Sequence, residues 1–314
     1  MRFLKPKFWD HSEISLWSIL LFPLSIIYLL IIWINKIPTI FKTYSKNKCP
    51  IVCVGNIYLG GTGKTPLAIE IFNITKSLGK NPALVKKYYS YLEDEINMLK
   101  NIGSTFVAST RKACIDLSIL NNHDFIILDD GFQDLSIKPN LSILCFNSQQ
   151  LIGNGFLIPA GPMREPLRSV LRADCIIING NQNKETLEFI KKIKNKTKKK
   201  KLHFFNSKYK IQNIEKFKNN EITAFAGIGN PSNFFDLLRE ANLNVKNTYT
   251  FPDHHNYSQK DFNKIIACGS SKNLTTKKDY YRLSNQQQKN CDYVDVKLEI
   301  ENKVEFENLI KDYL

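Results

Sequence analysis

The stretch "VGNIYLGGTGKTP", Val54 to Pro66, constrains the fold more than any other part of this chain. A short β-branched apolar run, "CPIVCVGN", precedes it. "KTPLAIEIFNITKSLG" follows, with apolar residues at helical spacing and Gly79 as a stop signal. Strand, glycine-rich loop and helix in that order make a phosphate cradle. Backbone N–H groups and the helix N-terminus surround phosphate oxygens, a Lys offsets their charge, and a hydroxyl meets Mg²⁺. The end of the stretch, Gly63-Lys64-Thr65, fits G-x-x-x-x-G-K-[ST], but counting back five positions from Gly63 reaches Tyr58 instead of glycine. The expected nucleotide loop therefore comprises Tyr58, Leu59, Gly60, Gly61, Thr62, Gly63, Lys64 and Thr65. Lys64 is placed on phosphate and Thr65 on the metal, with ATP and Mg²⁺ as the expected cofactors.

Beyond the loop, strand-like and helix-like segments alternate: "ALVKKYY", "STFVAS", "RKACIDLSIL", "DFIILDDG", "LSILCFN", "EPLRSVLRAD" (read as a helix) and "CIIING". A second such series starts near Glu221, with "DYVDVKLEI" as a single strand near its end. This pattern predicts an α/β fold: a P-loop NTPase-type, doubly wound, mostly parallel sheet with a smaller C-terminal α/β lobe and an N-terminal membrane helix. The expected division is 1–48 as membrane anchor, 49–215 as P-loop core and 216–314 as the smaller lobe.

The membrane helix is read from Ile14 to Ile34, 21 residues without a charge. As a helix it would extend about 31 Å, close to the hydrocarbon thickness of a bilayer. Basic residues flank both ends, so its orientation is weakly specified. A buried core helix, or a surface hairpin broken at Pro23, are the competing readings. The formal net charge of +15 suits an anionic partner, although compositional drift toward Lys explains part of it. The run Lys191 to Lys201 has no interleaved aromatic platform, which argues against nucleic acid. Seven cysteines without Cys-x-x-Cys spacing read as free thiols.

Three further stretches carry chemistry. In "FIILDDG" an apolar strand ends at Asp129, a Walker-B-like carboxylate at the carboxyl end of a strand, where ligands bind in open α/β sheets. In "GNGFLIPAGPMREPL", Arg164 and Glu165 sit at an expected helix start, where composition alone favours a helix cap with an ion pair; Arg164 also suits phosphate, and Glu165 a metal ligand or a partner of one. In "FPDHHNY", adjacent histidines are either structural or supply a general base for a substrate hydroxyl. A rival reading is a P-loop GTPase or ATPase switch of metallochaperone type acting on a protein partner. It would use Thr276-Lys277-Lys278-Asp279 to read guanine.

Taken in order, "FWD", "FPLSIIY", "VGNIYLGGTGKTP", "DDGFQD", "GNGFLIPAGPMREPL", "AFAGIGNP", "FPDHHNY" and "TTKKD" resemble the tetraacyldisaccharide 4'-kinases, also called lipid A 4'-kinases. The resemblance runs over nearly the whole chain. It implies transfer of the ATP γ-phosphate to the 4'-hydroxyl of a tetraacyldisaccharide 1-phosphate, a lipid A precursor. The enzyme would sit at the inner membrane with its catalytic domain facing the cytoplasm, without nucleic acid or an obligate protein partner. Lys64 and Thr65 match the family's P-loop positions, Asp129 and Asp130 its paired acids near Mg²⁺, and Arg164 and Glu165 its "REP" motif. The family's catalytic pair, an Asp from Gly-Asp-Glu-Pro and the first His of Asp-His-His, falls on Asp94 and His254. The chain departs from the family's Ser-Arg-Gly-Tyr-Gly at Lys86 to Ser90, where Lys87 stands for Arg. It also departs at Ile96, Asp134 and Lys277.

Overall fold

The computed structural model describes residues 6–10, 13–40, 47–197 and 201–314. The described residues divide into two compact units, one within 6–208 together with 300–314, the other formed by 209–299. Here the C-terminal stretch departs from the expected 216–314 lobe. Its last fifteen residues belong with the core, because the Phe306 ring packs edge-on against Phe205 at 5.2 Å and is fully buried.

The core unit opens with helix α1 (Leu16–Ile40), which continues through Pro23 without a break. Then come β1 (Ile51–Gly55), α2 (Lys64–Ser77), β2 (Pro82–Lys87), α3 (Glu93–Lys100), β3 (Thr105–Ala108), α4 (Arg111–Leu120), β4 (Phe125–Asp129), β5 (Leu141–Asn147), β6 (Cys175–Asn179), α5 (Lys184–Lys196) and β7 (His203–Ile211). The smaller unit holds β8 (Glu221–Ala226), α6 (Pro231–Glu240), β9 (Asn244–Thr250), α7 (Gln259–Ile266), β10 (Lys272–Thr276), α8 (Lys277–Tyr280), α9 (Asn285–Gln288) and β11 (Asp292–Val294). Strand β12 (Val296–Ile300) and helix α10 (Lys303–Lys311) close the chain.

The core sheet has the order β12-β7-β6-β5-β1-β4-β2-β3. The pairs β1–β4, β1–β5, β2–β4, β2–β3, β5–β6 and β6–β7 are parallel. Strands β1, β4, β5 and β6 are buried from end to end, which is why they read as continuous apolar runs: helices cover both faces of a parallel sheet. Because β1 lies between β4 and β5, the loop after β1 and the carboxyl end of β4 come together at one edge. The smaller unit repeats the plan in four strands, β11-β10-β8-β9, with parallel pairing.

Two local expectations change. "DYVDVKLEI" is two strands in two sheets, split at Asp295, whose backbone N–H donates to the Asn213 side-chain oxygen. "EPLRSVLRAD" forms only a 3₁₀ turn over Leu167–Arg172. It is too short to build an α-helical ladder, and the Ala173 N–H closes on the Val170 carbonyl. All seven cysteines are free thiols, as their spacing predicts.

Candidate active site

The phosphate loop is built from its neighbours outward. Gly63, at φ 88°, caps α2 in a left-handed conformation that a glycine takes without steric cost. The side chains of Leu67, Ala68, Ile71 and Phe72 pin α2 to the sheet, each large one contributing about 1.5–3 kcal/mol by burial. Thr62 is buried and its hydroxyl accepts from Asn56 Nδ2 at 3.0 Å. Gly61 is exposed at the tip.

Tyr58 and Leu59 do other work than the sequence suggests. The Tyr58 ring is fully buried and its hydroxyl donates to Asp10. The Leu59 N–H donates to Pro162 O at 2.8 Å, Arg164 N–H donates to Ile57 O at 2.8 Å, and Tyr58 forms a bridge with Met163. This edge of the loop is clasped onto "GPMRE". Tyr58 therefore stands where glycine is usual because a buried aromatic is needed there.

At the other edge the charged groups converge. The Thr65 hydroxyl donates to Asp129 Oδ2 at 2.9 Å. Asp129 is buried, and its Oδ1 has no hydrogen-bond partner among the described residues. Asp130, with φ 59°, turns its carboxylate to Arg164, whose Nη1 lies 3.1 Å from both oxygens; Lys64 Nζ lies 3.8 Å from Oδ1. Burial would push the Asp130 carboxyl up, but Lys64 and Arg164 outweigh it and hold it well below the usual carboxylate range. Arg111 braces the turn by donating to the Asp130 carbonyl at 2.5 Å and pairing with Asp134 at 3.2 Å. In this chain Asp134 thus serves as an arginine partner.

Glu165, expected as a metal ligand or a partner of one, is held by its neighbours in this structure. It is buried, and Arg172 spans both its oxygens at 2.8 and 2.9 Å. Lys36 lies at 2.7 Å and Ser169 at 2.9 Å. A carboxylate held by two cations and a hydroxyl is an anchor for the loop, and it has little left to offer a divalent ion. Helix α1 enters through the same cluster. Besides Lys36, Ser25 donates to Leu157 O at 2.8 Å, Tyr28 donates to Arg164 O at 3.1 Å, and Asn154 donates to Ser18 at 3.0 Å.

The donors that remain suit a hard cation arriving with a nucleotide: the Thr65 hydroxyl, the open Asp129 Oδ1 and Asp130 nearby. No group of three or more His, Cys, Asp or Glu able to hold a metal occurs among the described residues.

Two residues that sequence reasoning missed stand at this edge. Lys86, on β2, is buried with Nζ 2.5 Å from Asp129 Oδ2 and 2.8 Å from Glu95 Oε2. A lysine inside the apolar run "ALVKK" was the available signal. Glu95 follows Asp94, which occupies the first turn of α3 in the core unit. His254 lies in the smaller unit after β9, at φ 58°. Its Nδ1 faces Arg282 at 3.2 Å and its Nε2 faces Lys278 at 3.3 Å. His255 instead stacks on Phe251 and meets Asp261 at 3.1 Å, so it is structural. The guanine-reading alternative fails on Asp279. That residue is fully buried and its carboxylate is taken by Gly227 N–H, the Thr276 hydroxyl and Arg282.

A parallel sheet with a P-loop after its central strand, a paired aspartate turn beside it and cations gathered there defines a nucleotide-dependent phosphotransferase of the P-loop class. A sequence model described as tetraacyldisaccharide-1-P 4'-kinase matches residues 17–92 and 86–314. The tetraacyldisaccharide 4'-kinase of Pelagibacter ubique is 38% identical over 320 residues, covering 99% of this chain and 98% of that protein. The enzyme of the same name from Rickettsia typhi is 33% identical, with 96% of each chain covered. Among solved structures, LpxK from Aquifex aeolicus, crystallised in complex with ATP, superimposes with a TM-score of 0.71 at 23% identity, covering 94% of this chain and 99% of that one. The chain belongs to the tetraacyldisaccharide 4'-kinase family.

Proposed function

We propose that this chain is an ATP-dependent kinase that phosphorylates the 4'-hydroxyl of a tetraacyldisaccharide 1-phosphate at a membrane surface. The observation that carries the chemistry is the Thr65–Asp129 hydrogen bond, which puts the P-loop hydroxyl and the strand-end carboxylate on one point. Phosphoryl transfer asks the protein mainly for positioning and charge stabilisation. Lys64 and Arg164, now resting on Asp130, are the cations that would meet the γ-phosphate. Bound Mg²⁺ would supply Lewis-acid charge neutralisation on the phosphates, with Thr65 and Asp129 as its protein donors. Asp94 and His254 are the residues proposed for proton transfer, with the histidine as acceptor of the hydroxyl proton.

Membrane attachment is assigned to α1. Its segment Leu16–Pro38 has mean hydropathy 2.4 and is long and apolar enough to cross a bilayer. Yet four hydrogen-bonded positions, Ser18, Ser25, Tyr28 and Lys36, fasten it lengthwise to the core over about 27 Å. Standing upright would drag that polar loop into hydrocarbon, where unsatisfied backbone groups are costly. We therefore propose that α1 lies along the inner-membrane surface on the cytoplasmic side, with Leu16, Trp17, Leu20, Leu24, Ile27 and Ile31 toward the lipid.

The test is full-length protein in detergent micelles with ATP, Mg²⁺ and the lipid acceptor. The expected product carries one added phosphate, GTP competes poorly, and Lys64→Ala loses turnover by about 10³-fold or more. Nucleotide hydrolysis without a phosphorylated lipid would favour a switch protein instead.

A further inference from the structure

Lys86 has no place in the scheme above, yet it is one of the most constrained cations in the protein. It is the next-to-last residue of β2, one step past the Val85–Leu128 register pair, so its side chain meets the end of β4. Only 3% of it is exposed. Its ammonium bridges Asp129 Oδ2 and Glu95 Oε2. A buried ammonium is tolerated only when paired and hydrogen-bonded, and two carboxylates do that here.

The Asp129 carboxylate is consequently two-sided. Oδ2 accepts from both Lys86 and Thr65, while Oδ1 is buried without a partner among the described residues. Without Lys86, buried Asp129 and partly exposed Glu95 would form an acidic pair beside a hydroxyl, all hard oxygen donors of the kind that attract divalent ions.

We propose that Lys86 is the resident cation of the nucleotide site: it occupies the Asp129–Glu95 pair, keeps the free protein from binding a divalent ion there, and leaves Asp129 Oδ1 for the ion that arrives with nucleotide. Metal loading is thereby coupled to nucleotide binding. The proposal rests on the reading of Asp129 as a metal ligand, and its test separates the two.

Mn²⁺ binding to full-length protein in detergent is followed by electron paramagnetic resonance without nucleotide, and thermal unfolding is followed in EDTA and in Mg²⁺. Lys86→Ser should bind Mn²⁺ about tenfold or more tightly than the parent chain. The double variant Lys86→Ser/Glu95→Gln should lose most of that gain. Lys86→Ser should also have a depressed Tm in EDTA that Mg²⁺ restores, whereas the parent Tm without nucleotide should hardly respond to Mg²⁺. Unchanged Mn²⁺ affinity in Lys86→Ser overturns the proposal. So does a variant unfolded in EDTA and Mg²⁺ alike, since the metal then does not replace the ammonium. Asp129→Asn tests the underlying reading: if it binds Mn²⁺ with nucleotide as well as the parent does, Asp129 is no ligand, whatever Lys86 does.

Discussion

The Tyr28 hydroxyl donates to the Arg164 carbonyl oxygen at 3.1 Å, which joins the apolar N-terminal helix to the arginine that grips Asp130. The helix is thus part of the wall that holds Arg164 against Asp130. Tyr28→Phe removes one hydrogen bond, worth about 1 kcal/mol. Expected is a fall in kcat/KM of about threefold to tenfold, measured in micelles so that membrane binding does not limit the rate. An unchanged kcat/KM would make α1 a tether only.

Glu165 ties the same region together electrostatically. Burial pushes its carboxyl up, but Arg172 and Lys36 prevail and hold it below the ordinary glutamate value. A depressed carboxyl contributes stability that is complete above its unfolded value, about 4.3, and is lost as pH falls through the lower folded value. Glu165→Gln should therefore destabilise at pH 7, by about 2 kcal/mol once the partial exposure of Arg172 and Lys36 is allowed for. It should also flatten the decline of Tm between about pH 5 and 3. Thermal scans of both proteins across that range check it; parallel acid limbs would contradict the assignment.

The two histidines of "DHH" should behave differently. His255 is engaged by Phe251 and Asp261, so His255→Ala should lower Tm and leave kcat within about threefold once folded protein is counted. His254→Ala should retain Tm and lose about 10²–10⁴-fold in kcat. Steady-state rates beside thermal unfolding decide it, and the reverse pattern would exchange their roles.

Asp94 and Glu95 are adjacent but should also part. Asp94→Ala is expected to cut kcat by about 10²-fold or more with little change in KM for ATP. Glu95→Ala leaves buried Lys86 with one carboxylate fewer and should lower Tm first. Near-normal kcat in Asp94→Ala would remove Asp94 from the proton transfer.

The meeting of the glycine loop with the strand-end aspartates was readable from the chain because its parts are local. "GGTGKT" must turn after a buried strand and open a helix, and "FIILDD" must bring a carboxylate to a strand end. Strand β7 went unread because its burial alternates weakly, and the split at Asp295 was hidden because both halves look like one strand. The partners of Tyr58, Lys86 and Glu165 were out of reach for another reason. They lie 48, 43 and 129 residues away at Asp10, Asp129 and Lys36. Which buried charge meets which depends on strand order and helix placement across such distances.

The sequence by itself therefore determined the class of fold, the phosphate loop, the strand-end aspartates and the apolar helix, since each depends on spacing within one short segment. The tertiary structure alone decided that Tyr58 is a clasp, that Glu165 is paired with Arg172 and Lys36, that α1 is fastened along the core, and that Lys86 sits on Asp129. These follow from desolvation: a group taken out of water must find its partner wherever the fold brings one.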